Sequence, residues 1–164
     1  FVTKEENLAP FILIGIILLA WKGGKRGRTL LLLLIPTIIL TDQIASGIFK
    51  PLVSRMRPCR AFEALDTLNT LLGIKTSESF MSSHASNSFG AAMLIVQFYP
   101  RATWWAFGLA AVLAFSRIYT AVHYPFDVLA GALVGLLVGY WVYAVYKMLK
   151  YYREQRSAVV QGHG

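Results

Sequence analysis

The sequence predicts an all-α fold, a polytopic bundle of transmembrane helices that forms one domain over residues 1–164. Two observations lead to this prediction. First, 56% of the residues are apolar and the mean hydropathy is +0.54, both above what a soluble domain of this length usually carries. Second, five apolar segments are candidates for spanning helices, which need roughly 20 residues each. The segments cover residues 10–21, 29–49, 84–99, 103–122 and 126–146.

The order and spacing of the five segments predict an up-and-down arrangement. The first segment is short for a span, whereas the second has full spanning length. Only residues 100–102 connect the third segment to the fourth, so these two helices should be antiparallel neighbours. The fifth segment carries Gly131, Gly135 and Gly139, and small residues at four-residue intervals let helix backbones approach closely in lipid. We expect that face to pack against a helix of the same chain or of another chain.

The loop charges predict the orientation of the bundle. Four cationic residues lie between the first two segments, and the positive-inside rule places this loop in the cytoplasm. The same topology puts the C-terminal tail, residues 147–164, inside, and residues 50–83 and 123–125 outside. The net charge of +8 then reflects orientation and anchoring, with attraction of anionic lipid as an addition, so nucleic acid is not an expected partner. The four cations are Lys22, Lys25, Arg26 and Arg28.

The outer segment, residues 50–83, is an exception to this charge rule because it also carries five cations. Either the orientation is inverted, or these charges bind an anion on the outer side. Apolar residues recur at helical spacing over residues 61–73, which predicts an amphipathic helix that lies in the membrane interface or caps the bundle. The five cations are Lys50, Arg55, Arg57, Arg60 and Lys75, and for Arg55, Arg60 and Lys75 both surface anchoring and head-group recognition are open.

Ionisable residues cluster at the outer ends of the predicted helices. A charged group inside a bilayer is costly, so such groups normally face a wet interior where they pair or do chemistry. The cluster supplies mostly hydrogen-bond donors, which suit a phosphate dianion. A two-metal site requires several carboxylates and histidines, so no metal or other cofactor is expected. The cluster contains Lys50, Arg57, His84, Arg117, His123 and Asp127, the last being its only carboxylate. Cys59 is the only cysteine, which excludes an intramolecular disulfide.

Three short motifs contain these residues. Their order and internal spacing resemble the signature of the type 2 phosphatidic acid phosphatase (PAP2) superfamily, which also includes vanadium haloperoxidases. The first and third motifs match that signature at every specified position, whereas in the second, Met81 and Ser83 replace the usual proline and glycine. The family's bundle usually has six spans, against the five predicted here. The motifs are Lys50-x6-Arg57-Pro58, Ser82-Ser83-His84 and Ser116-Arg117-x5-His123-x3-Asp127.

The resemblance implies a role for each catalytic residue. His123 would attack the phosphorus and form a phosphohistidine, which requires a neutral imidazole with one nitrogen free. Asp127 would accept a hydrogen bond from the other nitrogen, and it stands in the first turn of the fifth helix if Pro125 opens that helix. His84 would be the general acid that protonates the leaving oxygen and later helps to activate water.

The resemblance also implies a phosphate-binding set. Lys50, Arg57 and Arg117 would bind the phosphoryl oxygens and stabilise the transition state, although lone cations near a membrane also snorkel to its interface. Hydroxyl groups would assist them, and a serine before His84 is equally a candidate helix N-cap. The serines are Ser82, Ser83 and Ser116.

These features together predict a metal-independent lipid phosphatase in a bacterial inner membrane, with its site facing the periplasm and no cofactor. The expected partners are a lipid phosphate substrate and the membrane lipids. The favoured substrate is lipid A 1-phosphate, and undecaprenyl diphosphate, phosphatidylglycerol phosphate and phosphatidic acid are the alternatives on family analogy. Other classes are a transporter or channel with intramembrane charges, a bis-histidine haem protein and a vanadium peroxidase.

Overall fold

The computed structural model describes residues 5–61 and 76–161, and within those ranges the regular secondary structure is entirely helical. The predicted all-α class is therefore confirmed. Apart from Ala61, the predicted amphipathic helix over residues 61–73 lies outside the described residues. The helices are α1 (Glu5–Lys22), α2 (Gly24–Asp42), α3 (Lys50–Val53), α4 (Pro58–Ala61), α5 (Ser83–Phe98), α6 (Thr103–Tyr119) and α7 (Pro125–Gln161). A π-helical turn (Gln43–Phe49) joins α2 to α3, and a 3-10 turn (Pro100–Ala102) precedes α6.

A helix occupies each of the five predicted segments, but the connection between α1 and α2 is shorter than expected. Three of the four cations predicted for a loop lie instead in the first turns of α2. The chain reverses at Gly23 and Gly24, and Gly24 has a φ of +55°, which glycine adopts without a steric penalty. A side chain at Gly27 would collide with the carbonyl oxygen of Leu19, so glycine also allows α1 and α2 to approach closely.

Helix α7 is longer than its predicted segment, because it continues through the expected tail to Gln161. Residues 147–161 contain neither glycine nor proline, so nothing in the sequence terminates the helix before Gly162. At the other end, α7 begins with Pro125, as predicted, and Asp127 is in its first turn.

The glycine face of α7 packs against α5 of the same chain, and this is the most extensive helix contact of the bundle. A Cβ atom added at Gly131 would lie 2.5 Å from the carbonyl oxygen of Ser82, and one added at Gly139 would lie 2.5 Å from that of Gly90. Gly135 faces the carbonyl oxygen of Ser86 in the same way. The predicted tight packing is thus intramolecular.

Helix α5 lies at the centre of the bundle and contacts α2, α6 and α7. Its apolar core joins Leu94 to Leu30 of α2 and to Val138 of α7. Polar contacts accompany the apolar ones, since the Thr41 hydroxyl lies 2.6 Å from the side-chain oxygen of Asn87. Thr41 therefore makes a polar contact between α2 and α5.

The outer surface of the bundle is apolar. Leu129, Leu133 and Leu137 form an exposed stripe on α7, as expected for a helix that faces lipid. Two helical segments, Gly24–Ala61 and Pro125–Ala158, have the length and composition to cross a membrane, and Ile12–Lys22 is a shorter apolar helix. The number of complete crossings, five from the sequence, stays a prediction.

Candidate active site

The turn between α6 and α7 holds His123. Helix α6 ends at Tyr119, and the carbonyl oxygen of Arg117 then accepts hydrogen bonds from the backbone amides of both Val122 and His123, at 3.1 Å each. Ala121 adopts a φ of +54°, which reverses the chain within this turn. The result is a histidine that is only 4% exposed, held at the junction of two helices.

The two ring nitrogens of His123 face different groups. Nε2 lies 3.1 Å from Nη1 of Arg57, and Nδ1 lies 3.7 Å from Oδ2 of Asp127. Since a guanidinium can only donate hydrogen bonds, Nε2 is the acceptor in this contact. The arrangement therefore favours the tautomer that carries its proton on Nδ1, toward the carboxylate.

Burial lowers the pKa of His123 below 6.5, and the positive charge of Arg57 acts in the same direction. The nearby Asp127 carboxylate and the backbone of Ser79 raise the pKa of His123 and offset only part of this shift. The imidazole is therefore neutral at pH 7, which is the form in which Nε2 has a free lone pair.

Asp127 is fully buried and accepts hydrogen bonds at both of its oxygens. Oδ1 accepts from Nη1 of Arg55 at 3.1 Å. Oδ2 accepts from the hydroxyl of Ser79 and, at 3.0 Å, from the backbone amide of Tyr124. A buried carboxylate with these partners keeps a fixed position, so Asp127 can orient the ring of His123.

Arg57 is buried and fixes the position of the histidine turn. Its Nη1 donates to the carbonyl oxygen of Val122 at 3.0 Å, while Nε and Nη2 donate to the carbonyl and hydroxyl oxygens of Ser77 at 2.9 and 3.1 Å. Next to it, the Cys59 amide donates to the carbonyl oxygen of Ala121 at 2.8 Å. The first motif is thus bound to the third by backbone and side-chain contacts.

Lys50 connects the first motif to the second. Its Nζ donates to Ser46 at 3.1 Å and to Ser83 at 3.2 Å, and the two serine hydroxyls lie 3.1 Å apart. Lys50 is half-buried. Ser83, the first residue of α5, therefore contacts the Lys50 ammonium group, and the half-buried His84 follows it directly.

Ser82 caps α5 by accepting from the amide of Ala85 at 3.4 Å, as the capping alternative predicted. Its own amide donates to the carbonyl oxygen of Asp127 at 3.1 Å, which joins the start of α5 to the start of α7. Arg117 is buried in the last turn of α6. The neighbouring Ser116 donates its hydroxyl to the carbonyl oxygen of Leu113 at 2.7 Å, so it would have to release that bond to donate to phosphate.

Of the described residues that contact the Asp127 carboxylate, Arg55, Ser79 and Tyr124 did not receive a site role from the sequence. Arg55 lies two positions before Arg57, and its guanidinium carbon lies 3.8 Å from the ring centroid of Tyr124 as well as near Asp127. A cation inside the unspecified part of the first motif was the available signal for Arg55. Neither Ser79 nor Tyr124 stands at a diagnostic spacing, so only the folded chain reveals them.

The donor set suits an anion. Among residues 5–61 and 76–161, no group of three or more His, Cys, Asp or Glu side chains is arranged to hold a metal ion. The groups that do converge are cationic or hydroxylic around one buried carboxylate, which is the composition of a phosphate site.

This fold and site define a membrane-embedded protein with a buried, oriented histidine beside a group of cations. The chain belongs to the PAP2 superfamily, whose sequence profile matches residues 30–151. A solved structure, the first transmembrane PAP2 type phosphatidylglycerolphosphate phosphatase from Bacillus subtilis, has a similar fold with a TM-score of 0.57 and 25% sequence identity. The similarity covers 89% of this chain and 72% of that one. The predicted membrane bundle is thereby confirmed.

Several curated proteins are similar to this chain in sequence, and their names give different activities. The lipid A 4′-phosphatase of Porphyromonas gingivalis is 33% identical over 113 residues, which are 67% of this chain and 48% of that protein. The bacitracin transport permease protein BcrC of Bacillus licheniformis is 27% identical over 94% of this chain and 78% of its own length. The undecaprenyl-diphosphatase of Sulfolobus acidocaldarius is 28% identical over 85% of this chain and 65% of its own length. This chain thus spans about half of the length of the Porphyromonas relative.

Proposed function

We propose that this protein is a metal-independent lipid phosphatase that transfers a phosphoryl group from a lipid to His123 and then to water. One observation carries the proposal: Nε2 of His123 accepts a hydrogen bond from Arg57 while Nδ1 faces the buried carboxylate of Asp127. A neutral histidine oriented in this way is an activated nucleophile. When substrate binds, a phosphoryl oxygen can take the place of Nε2 as the acceptor of the Arg57 N–H. The phosphorus would then lie next to Nε2 of His123.

In the first step, the lone pair of Nε2 forms a bond to phosphorus while the bond from phosphorus to the lipid oxygen breaks. His84 donates a proton to the leaving oxygen. The phosphorylated imidazole keeps its proton on Nδ1 and becomes cationic, and the charge of Asp127 stabilises it. Lys50, Arg57 and Arg117 would neutralise the equatorial oxygens of the transferring group.

In the second step, water attacks the phosphorus and gives a proton to His84, which the first step left neutral. The bond from phosphorus to Nε2 breaks, so inorganic phosphate leaves and the neutral imidazole returns. Ser83 is hydrogen-bonded to Lys50 and stands directly before His84, so its hydroxyl can share a phosphoryl oxygen with that cation. Ser82 and Ser116 contribute less directly, because both already bond to helix backbone.

A lipid is the substrate class that fits the surroundings of the site. Phe126 directly follows the Pro125 that opens α7, is 65% exposed and stacks on Phe80, with ring centroids 6.1 Å apart. Phe49 packs against the edge of Phe80 at 5.9 Å. These rings place an apolar surface next to the residues proposed to bind phosphate. A lipid substrate requires such a surface, whereas a soluble phosphate ester does not.

Within this class we favour lipid A. The sequence led us to expect the 1-phosphate, whereas the name of the Porphyromonas relative supports the 4′-phosphate. Undecaprenyl diphosphate is the second candidate because the Sulfolobus relative is named for it. The proposed location is a bacterial inner membrane with the site facing the periplasm, supported by the cations at the α1–α2 connection, at the opposite end of the bundle from His123.

The proposal is tested with the full chain purified in detergent and a panel of lipid A, undecaprenyl diphosphate, phosphatidylglycerol phosphate and phosphatidic acid. We expect release of inorganic phosphate in the presence of EDTA and inhibition by vanadate. Mass spectrometry of the lipid A product identifies the position that loses its phosphate. Complete loss of activity in EDTA would overturn the mechanism.

The nucleophile is tested by labelling with a 32P-labelled substrate and quenching in alkaline detergent, because acid hydrolyses the P–N bond of phosphohistidine whereas base leaves it intact. His123→Ala should abolish the label. His84→Ala should still be labelled when the leaving group is good, because the missing acid is then less important. His163→Ala, at a histidine outside the motifs, is the matched control, and label that survives His123→Ala would refute the assignment.

A further inference from the structure

The end of the bundle opposite His123 contains a second cluster of cations. Lys147 follows Asp127 by twenty residues on α7, which corresponds to about 30 Å along an α-helix. There the start of α2, the end of α5 and the middle of α7 enclose a cavity of about 320 Å³, which we call the basal cleft. Lys25, Arg26, Lys147 and Lys150 line it. The cleft is too far from His123 to belong to the proposed catalytic site.

The walls of the basal cleft combine positive charge with an aromatic floor. Phe98, Tyr143 and Tyr146 line its inner side, and their rings pack against one another with centroids 5.6 to 6.3 Å apart. Among the residues that the structure describes, no acid lines this cleft. Glu154 lies outside it and pairs with Lys150 at 3.7 Å, so the charge of Lys150 is partly compensated. The remaining cations give the cleft a net positive field.

An apolar groove adjoins the basal cleft. It has a volume of about 460 Å³ and is lined mostly by apolar side chains, among them Leu19, Leu30 and Ile95, together with Tyr99 and the cation Arg101. The guanidinium carbon of Arg26 lies 4.9 Å from the ring centroid of Tyr99, so one residue pair joins the cationic cleft to the apolar groove. Trp105 also lines the groove and is 84% exposed, as is typical of tryptophans at the head-group level of a membrane.

We propose that the basal cleft and the apolar groove together bind one anionic phospholipid, with its phosphodiester in the cleft and an acyl chain in the groove. The cations of the cleft match the negative charge of the phosphodiester, and the apolar side chains of the groove match the acyl chain. Orientation of the bundle requires only that cations lie at this end. It does not require that four of them line one cavity or that an apolar groove adjoins it. A phosphodiester lipid in this position is a bound ligand and not a substrate.

The test uses the full chain in nanodiscs of phosphatidylcholine with increasing phosphatidylglycerol, and native mass spectrometry counts the phosphatidylglycerol that stays bound. We expect one molecule to be retained, with an affinity that falls about tenfold in Lys25→Gln/Lys147→Gln. The control is Lys22→Gln/Arg28→Gln, which removes the same charge from exposed positions at the same end that do not line the cleft. Circular dichroism and phosphatase activity establish that both double variants are folded.

Two results would overturn the proposal. If the control pair weakens retention as much as the cleft pair, the attraction belongs to the whole basic surface and not to a site. If glycerol 3-phosphate displaces phosphatidylglycerol at equal concentration, the apolar groove does not contribute and the ligand is a soluble phosphate. Because the binding assay does not depend on turnover, its outcome is independent of the proposed phosphatase activity.

Discussion

Arg55 donates to Asp127 across 72 positions of sequence, through a 3.1 Å hydrogen bond between Nη1 and Oδ1. The same guanidinium stacks on the ring of Tyr124. The backbone carbonyl oxygen of Arg55 accepts a hydrogen bond from the amide of Ser79 at 2.7 Å. Arg55 therefore contacts the Asp127 carboxylate and also Ser79 and Tyr124, the two residues that donate hydrogen bonds to the other oxygen of that carboxylate.

Arg55→Gln should lower kcat by about 10- to 100-fold with little change in KM, because the carboxylate loses the partner at Oδ1 that fixes its orientation. Arg55→Lys should recover part of the loss, since an ammonium keeps the charge but not the stacking on Tyr124. The measurement is phosphate release over a range of substrate concentrations. Arg60→Gln, at an exposed arginine five positions later, is the control. A larger effect on KM than on kcat would assign Arg55 to substrate binding instead.

Asp127→Asn should lower kcat by about 100-fold or more, because an amide no longer stabilises the cationic phosphohistidine or selects the Nδ1–H tautomer. In the variant, one oxygen that accepts hydrogen bonds becomes an NH₂ group facing the same donors, so those hydrogen bonds are lost. We therefore also expect the free energy of unfolding to fall by about 2 kcal/mol. Thermal unfolding in detergent measures the second effect. Wild-type turnover in the variant would exclude Asp127 from the mechanism.

The pKa of His123 sets the expected pH dependence. Burial lowers this pKa below 6.5, so as the pH falls the imidazole stays neutral past the point at which an exposed histidine becomes protonated. The acid limb of kcat/KM that reports His123 should have a midpoint below pH 6.5. NMR of 13C-labelled histidine follows the ring directly, with His123→Gln to assign its signal. A midpoint above 6.5 would contradict the proposed environment.

Gly135→Ala should destabilise the protein by about 2 kcal/mol or more, because a methyl group at this position collides with the carbonyl oxygen of Ser86 on α5. Gly108→Ala in α6 is the matched control, since nothing lies within 4 Å of an added Cβ there. It should be neutral or slightly stabilising. Both effects can be measured as shifts in Tm in the same detergent. Equal shifts for the two variants would mean that the α5–α7 contact is looser than the structure indicates.

Part of this molecule could be predicted from the sequence because its motifs have short internal spacing. Only three residues separate His123 from Asp127, so one helix start fixes their relationship, and the four-residue interval of the glycines of α7 shows that they share a face. The length of the loop expected between the first two segments was wrong, because Gly24 permits a sharp reversal that composition does not reveal.

The rest of the site depends on contacts between distant segments. Ser79 reaches Asp127 across 48 positions, and Lys50 reaches Ser83 across 33. Arg57 was expected to bind phosphate, and in the folded chain it also donates to Val122 in the turn that holds His123 and to Ser77. Spacing along a chain cannot distinguish a cation that binds substrate from one that supports the site, since both stand in the same motif.

The close contact between α5 and α7 also restricts how a lipid could reach His123. Where glycines bring two backbones together, there are no side chains whose rotation could open a gap, and separating the helices would expose the polar atoms of Ser82 and Ser86 to hydrocarbon. These two helices therefore form the closed wall of the site. A lipid that arrives sideways from the bilayer has to enter past another pair of elements.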